Sequence, residues 1–303
     1  MQSKLWMYST LMLSSSVFAG SFIDNSTVDL TTRNFYFDRD YQEVSKYPAM
    51  KDWTQGLIFR ANSGYTEGTI GFGLDILATA GFKLDASADY AGTGNLPRDP
   101  VTNEPTDSYG QIGVTGKSKI SKTELKVGTL RPMNPVLVAS PARLLLQTYR
   151  GISLESKDIT NLDFQSAYID QVNQRDSTNW ENMRISAVNG RFKSADTDQL
   201  YYLGGNYQLI PSTKLTSFYM DVEDLYNQSM FGITYNHKFN DSNNFSSQLR
   251  YYRSREDGQA KAGLVDNDLI HGYFELKHQN HKFILATFHH NGDTAFPYLT
   301  GGE

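Results

Sequence analysis

Between Leu125 and Leu154 the chain contains no Asp or Glu, although its 303 residues carry a formal charge of −5. That acid-free stretch holds Lys126, Arg131, Arg143 and Arg150, three prolines (Pro132, Pro135 and Pro141) and the apolar run PVLVASPARLLL, followed by Gln147 and Thr148. A guanidinium group presents paired donors in a plane, which match a carboxylate in bidentate fashion. The segment is therefore a candidate grip for small anionic or zwitterionic solutes. The plainer alternative is a loop at a sheet edge or a subunit contact with no solute role. An apolar loop of this length is an aggregation hazard on an open surface, so it is expected to pack against something.

Further charges sit on alternating runs. Arg33, Lys117, Lys119 and Arg250 share the polar parity of their segments, and Asp75, Asp221 and Glu223 are the acids set against them. Singly, each reads as a solvated side chain; on one shared face they would form a basic track in a transverse field. His278 and His281 flank a tight turn and His289-His290 follow, but without carboxylate or cysteine partners they make no metal site. The chain has no cysteine, no nucleophile elbow and no ordered triad, so no catalytic residue and no cofactor is expected. Its acidic balance and scattered basic residues argue against nucleic acid as a partner.

The elements that must carry these residues read as strands. In GTIGFGLDILATAGFKLD (68–85), Ile70, Phe72, Leu74 and Ile76 alternate with Thr69, Gly71, Gly73 and Asp75. Strict alternation of this kind belongs to a strand with one apolar and one polar or small face. The same pattern predicts strands near 27–37, 53–62, 111–120, 124–130, 160–171, 182–192, 199–209, 214–223, 226–239, 244–254, 269–278 and 281–290. That makes about 13 strands, several near the length that crosses a bilayer when tilted. Short links recur at alternate junctions, and longer ones at 39–50, 85–109, 130–158 and 255–268 occupy most of the others. Short turns at one end and long loops at the other are the pattern of outer-membrane barrels, in which an apolar face meets lipid and a polar face surrounds water. The loop at 130–158 would then fold into the lumen and narrow it. Tyr36, Phe37, Trp53, Tyr201, Tyr202, Tyr251, Tyr252 and Phe288 near strand ends fit interfacial girdles.

Residues 1–19 read as a Sec-type secretory signal, with Lys4, a weakly apolar core from Leu5 to Val17 and a small residue at Ala19. Residues 20–303 form the barrel domain. Two other classes stand beside this reading. A secreted β-sandwich that binds carbohydrate through Trp53, Tyr201 and Tyr202 would bury its apolar faces in a dry core. A barrel hydrolase would need a Ser or Asp within reach of a His.

Seven stretches, RNFYFDRD (33–40), DWTQG (52–56), SGYTEGTIGFGLD (63–75), GFKLD (81–85), GTGNLP (92–97), KISKTELKVG (119–128) and DGQAKAG (257–263), resemble in this order the OprD family of substrate-specific outer-membrane porins. The resemblance implies an all-β antiparallel transmembrane barrel of about 18 strands in the intact family, with an inward-folded third loop and a ladder of basic residues. It also implies a monomer in the outer membrane of a Gram-negative bacterium, in contact with lipid and lipopolysaccharide, inserted by the barrel-assembly machinery, and passing small carboxylate-bearing solutes such as amino acids. PVLVASPARLLLQTYRG (135–151) is similar to the family's constriction loop, with Arg143 at its arginine and Gln147-Thr148 at its Gln-Thr pair. Family chains continue beyond FPYLTGGE, and an incomplete barrel has edges that lipid does not satisfy. The expectation is thus a fragment lacking about five strands, since 13 are read here against 18.

Overall fold

Alternation along β3 (Gly71–Ala86) shows how the sheet is built: Phe72, Leu74 and Ile76 are exposed, whereas Gly71, Leu77, Thr79 and Gly81 are buried. The computed structural model describes residues 19–40 and 49–300. The secretory signal expected at 1–19 lies outside them except for Ala19, which opens the short helix α1 (Ala19–Asp24).

In chain order, β1 (Thr27–Arg39), β2 (Met50–Asn62), β3, β4 (Ser108–Ile120), β5 (Thr123–Leu130), β6 (Thr148–Ser156) and β7 (Leu162–Asn173) pair antiparallel, each with the next. Within the long segment that follows, β8 (Trp180–Glu181), β9 (Met183–Arg184) and β10 (Asp196–Thr197) are two-residue strands. The main sheet resumes with β11 (Leu200–Ile210), which pairs directly with β7. It continues through β12 (Thr213–Val222), β13 (Tyr226–Asn240), β14 (Asn243–Glu256), β15 (Asp266–His278) and β16 (His281–Asn291). Turns of two residues close β4–β5, β11–β12, β13–β14 and β15–β16 at one end. The long segments 87–107, 131–147 and 174–199 lie at the other.

One face of this sheet is apolar and open. Val28, Leu30, Phe72, Ile112, Phe231 and Leu285 are each more than half exposed. Every such side chain left in water forfeits roughly 1.5–3 kcal/mol relative to burial, so the face requires lipid. A sandwich does not fit the same observation, because among the described residues no second sheet covers this face. The opposite face is concave: the segment 131–147 packs on it against Ile58 of β2, Leu77 of β3 and Tyr109 of β4 through Leu144, Leu145 and Leu146. Through Val136 it also meets Phe218, Met230, Tyr252 and Leu269, which belong to β12 through β15. A segment of 17 residues touches strands at both ends of the sheet only if the sheet curls around it. No helix among the described residues is long and apolar enough to cross a membrane.

Two boundaries differ from the sequence expectation. The loop expected at 130–158 ends at Gln147, because Thr148–Ser156 forms β6 between β5 and β7. The strand expected at 182–192 does not join the main sheet. Met183 and Ile185 do alternate and are buried, but β9 pairs with β10, and Ile185 bridges to Leu299. One strand gained and one lost leave the count of main strands unchanged.

Candidate functional site: a cation-lined lumen crossed by an inward loop

The loop 131–147 is organised locally before it meets the wall. Asn134 Oδ1 accepts from the amides of Val136 and Leu137 at 3.1 and 2.9 Å, and Ala139 N donates to Pro132 O at 2.8 Å. These bonds fold 132–139 into a tight hairpin. Gln147 then closes the base: its Oε1 accepts from Ser140 N at 3.1 Å, and its Nε2 donates to Gln174 Oε1 at 3.2 Å and Thr300 O at 3.0 Å. Gln147 is completely buried. It was expected to meet solute; instead it staples three chain segments together where solute has no access.

The far side of the loop is held by β1 and by a second inward segment. Arg33 Nη1 donates to Pro141 O at 3.0 Å and Arg143 O at 2.5 Å. Arg143 donates from Nε to Thr93 O at 2.8 Å and lies over the Phe37 ring at 5.4 Å. Thr93 and Asn95 are in turn fixed by the buried carboxylate of Asp52, which accepts from Thr93 Oγ1 and from Asn95 Nδ2 at 2.9 Å. Asn95 Oδ1 accepts from Leu144 N at 3.1 Å. Arg143 is therefore part of the brace between two loops.

Below this brace a lumenal space of about 210 Å³ is lined by Arg60, Lys126 and Arg131, by the carboxylates of Asp75 and Glu155, and by Tyr202. Lumen water reaches Arg131, whose side chain makes no hydrogen bond or ion pair among the described residues. Burial, then the charges of Arg60 and Arg33, push its pKa down from the usual arginine range. Those three guanidinium groups thus sit close enough to repel one another. Of the three, only Arg60 forms an ion pair among the described residues, with Asp29 at 2.6 Å.

The remaining candidates divide. Lys117 is nearly buried and pairs with Asp75 at 2.6 Å, while also lying over the Tyr65 ring at 5.0 Å. Lys119 lies over the same ring at 5.6 Å, and Lys126 pairs with Glu124 at 2.8 Å. Burial and the Glu124 carboxylate that Tyr65 Oη bonds push that phenol up. Arg250 faces the concave side beside Tyr252, Leu269 and His271. Arg150 does not belong to the lumen: it is on β6 with the parity of the exposed Ile152, and forms a 2.7 Å ion pair with Asp170 on β7. Asp221 also faces outward, since its neighbours Met220 and Val222 enter the inner core, and Tyr219 Oη bonds it at 3.2 Å. Glu223 is exposed in the short link after β12. Arg60, Asp52 and Glu124 were missed. Arg60 shares the parity of Gly56 and Ile58 in WTQGLIFRAN, and that alternation marks it as lumenal.

A curled antiparallel sheet, apolar outside and cationic inside, with a loop laid across its hollow, defines a porin of the outer-membrane β-barrel class. The chain belongs to the OprD family: the family described as outer membrane porin, OprD family, matches residues 20–303. Porin D of Pseudomonas aeruginosa is 33% identical over 288 residues, which cover 94% of this chain and 63% of that protein. Among solved structures, Acinetobacter baumannii OccAB2 is 76% identical with a TM-score of 0.91, covering 94% of this chain and 71% of that one. Pseudomonas aeruginosa OpdK with vanillate is 29% identical with a TM-score of 0.84, covering 93% and 71%. The chain thus spans less than two thirds of the length of Porin D. OprD-family porins are Gram-negative outer-membrane channels rather than enzymes.

Proposed function

We propose that this chain forms the greater part of a passive channel selective for small carboxylate-bearing solutes, amino acids among them. The observation that carries the reading is the group of Arg33, Arg60 and Arg131 beneath the inward loop, of which Arg131 is open to lumen water. Arg33 holds the loop in place, Arg60 is partly neutralised by Asp29, and Arg131 is left to take hold of a carboxylate. Lys126 and Lys117 follow toward the short-turn end, each tempered by an acid. That tempering keeps solute binding weak, as conduction requires, because a site must release what it admits. Vanillate, present in the OpdK structure, is itself a carboxylate, which supports the same solute class here. The protein reconstituted into liposomes is expected to swell them faster in a carboxylate than in a neutral solute of equal size. Equal rates for both would overturn the selectivity, and no swelling in either would overturn channel activity.

A further inference from the structure

The outer wall carries a depression that solute transport does not use. Cross-strand register stacks its residues in three rows over β7, β11, β12, β13 and β14. The middle row reads Phe164, Gly205, Ser217, Phe231 and Tyr251, so its second and third positions are the smallest. Around them stand Phe164, Leu203, Tyr207, Leu215, Tyr219 and Phe231, which rim an apolar groove of about 790 Å³. Gly205 is required by close approach: a Cβ there would lie 2.4 Å from Asp163 O. Ser217 is exposed at the floor.

Polarity changes along the strands. The row toward the short turns, Leu162, Tyr207, Leu215, Ile233 and Leu249, offers one hydroxyl. The row toward the long loops contains Ser166, Tyr219, Ser229 and Arg253. Arg253 is exposed, and the nearby carboxylate of Asp268 is already held by Arg255 at 3.0 Å and by Tyr251 Oη at 2.9 Å. An apolar trough with a cation and hydroxyls at its outer-leaflet end has the polarity of an amphiphile standing head outward.

We infer that this groove is a specific seat for a phosphorylated, acylated glycolipid of the outer leaflet, lipopolysaccharide, with an acyl chain over Gly205 and Ser217 and a phosphate at Arg253. A zwitterionic phospholipid carries its single phosphate beside its own ammonium group and has only two acyl chains, and so binds less tightly. The inference rests on the membrane placement of the sheet and is independent of channel selectivity.

The test is native mass spectrometry of the detergent-solubilised protein with bis-phosphorylated lipid A, dephosphorylated lipid A and phosphatidylethanolamine. The wild type is expected to retain bis-phosphorylated lipid A best. Ser217→Trp, which fills the trough, lowers retention of both lipid A forms at least tenfold. Arg253→Gln weakens only the phosphorylated form, by about fivefold, the effect of one basic residue at a lipid surface. Equal retention of phosphatidylethanolamine and lipid A by the wild type would mean annular lipid only and overturn the inference. Unchanged lipid A retention in Ser217→Trp does the same. If that variant does not fold, Arg253→Gln decides alone, since the residue is exposed: loss confined to the phosphorylated form supports the seat, and no loss sinks it.

Discussion

Replacing Arg131 by Gln removes a charge from the lumen while keeping polar atoms and nearly the same length. Hydrogen bonds to a charged group contribute about 1.5–3 kcal/mol net. The Coulomb energy of a pair at 4 Å runs from about 1 kcal/mol in water to about 4 kcal/mol near a protein surface. The lumen is wet, so the lower part of both ranges applies. A loss near 1.4 kcal/mol is a tenfold weakening of carboxylate affinity, read as block of single-channel current by an aromatic carboxylate in a planar bilayer. Arg150→Gln makes the same change in net charge, but on the outer face in a pair with Asp170, and is expected to leave the block unaltered. Although burial and two neighbouring arginines lower the Arg131 pKa, an arginine stays protonated at neutral pH. The block therefore keeps its strength between pH 6 and 9. Equal effects of the two substitutions, or none from either, would refute a site centred on Arg131.

Other outcomes follow from the braces. Gln147→Leu fits the space but leaves Ser140 N–H and Thr300 O without partners, at about 1–3 kcal/mol for each orphaned group; thermal unfolding and protease cleavage within 131–147 report it. Leu144→Ala, at a fully buried position against the backbone of Gly56, costs about 2–5 kcal/mol and raises unitary conductance as the loop slackens. At the short-turn end, Asp158 accepts from Ser121 Oγ at 2.6 Å, Thr123 Oγ1 at 2.6 Å and Lys122 N at 3.0 Å, and these bonds hold its carboxyl below the usual range. Its depressed folded pKa gives stability that is present above the ordinary carboxylate pKa of about 3.9 and is lost as pH falls through the folded value. Asp158→Asn is expected to lower the melting temperature at pH 7 but not at pH 2, and an equal difference at both would exclude the linkage.

Alternation revealed the membrane wall because each strand has one face in lipid, and a period of two survives any register. β3 was legible for that reason, from Phe72 to Leu84. β6 was not: TYRGISLES follows the apolar loop directly, carries Arg150 at the lipid parity and pairs with β7 across a register shift at Arg150/Gly151. Its alternation covers only Ile152 and Leu154. The mistaken strand at 182–192 had the opposite fault. Met183 and Ile185 alternate against a loop core that includes Leu200 and Leu299, and local pattern cannot tell that environment from a barrel wall.

Which cations meet solute depends on pairing across strands, and that is where sequence reading stopped. Lys117 and Arg131 are equally basic in the sequence, yet register puts Lys117 opposite Gly73, in an ion pair with Asp75, while the Arg131 side chain forms no ion pair among the described residues and is felt by Arg60 and Arg33. The glycines of GTIGFG make the same point. Their alternation with Phe72 and Leu74 puts Gly71 and Gly73 on the lumenal face. A Cβ on Gly73, however, would lie 2.5 Å from Lys117 Cε and 2.7 Å from Gly64 O, and one on Gly71 would lie 2.9 Å from Tyr65 Cβ. The space belongs to the turn 63–66, folded back over its own strand, and to the lysine that turn helps to hold. Gly71 and Gly73 thus act on the channel indirectly. They let Tyr65 sit beneath Lys117 and Lys119, which places two of the lumenal ammonium groups over one aromatic face. A larger residue at 73 would displace Lys117 from Asp75 without changing a single charge. The lumenal field is therefore set by small residues as much as by basic ones.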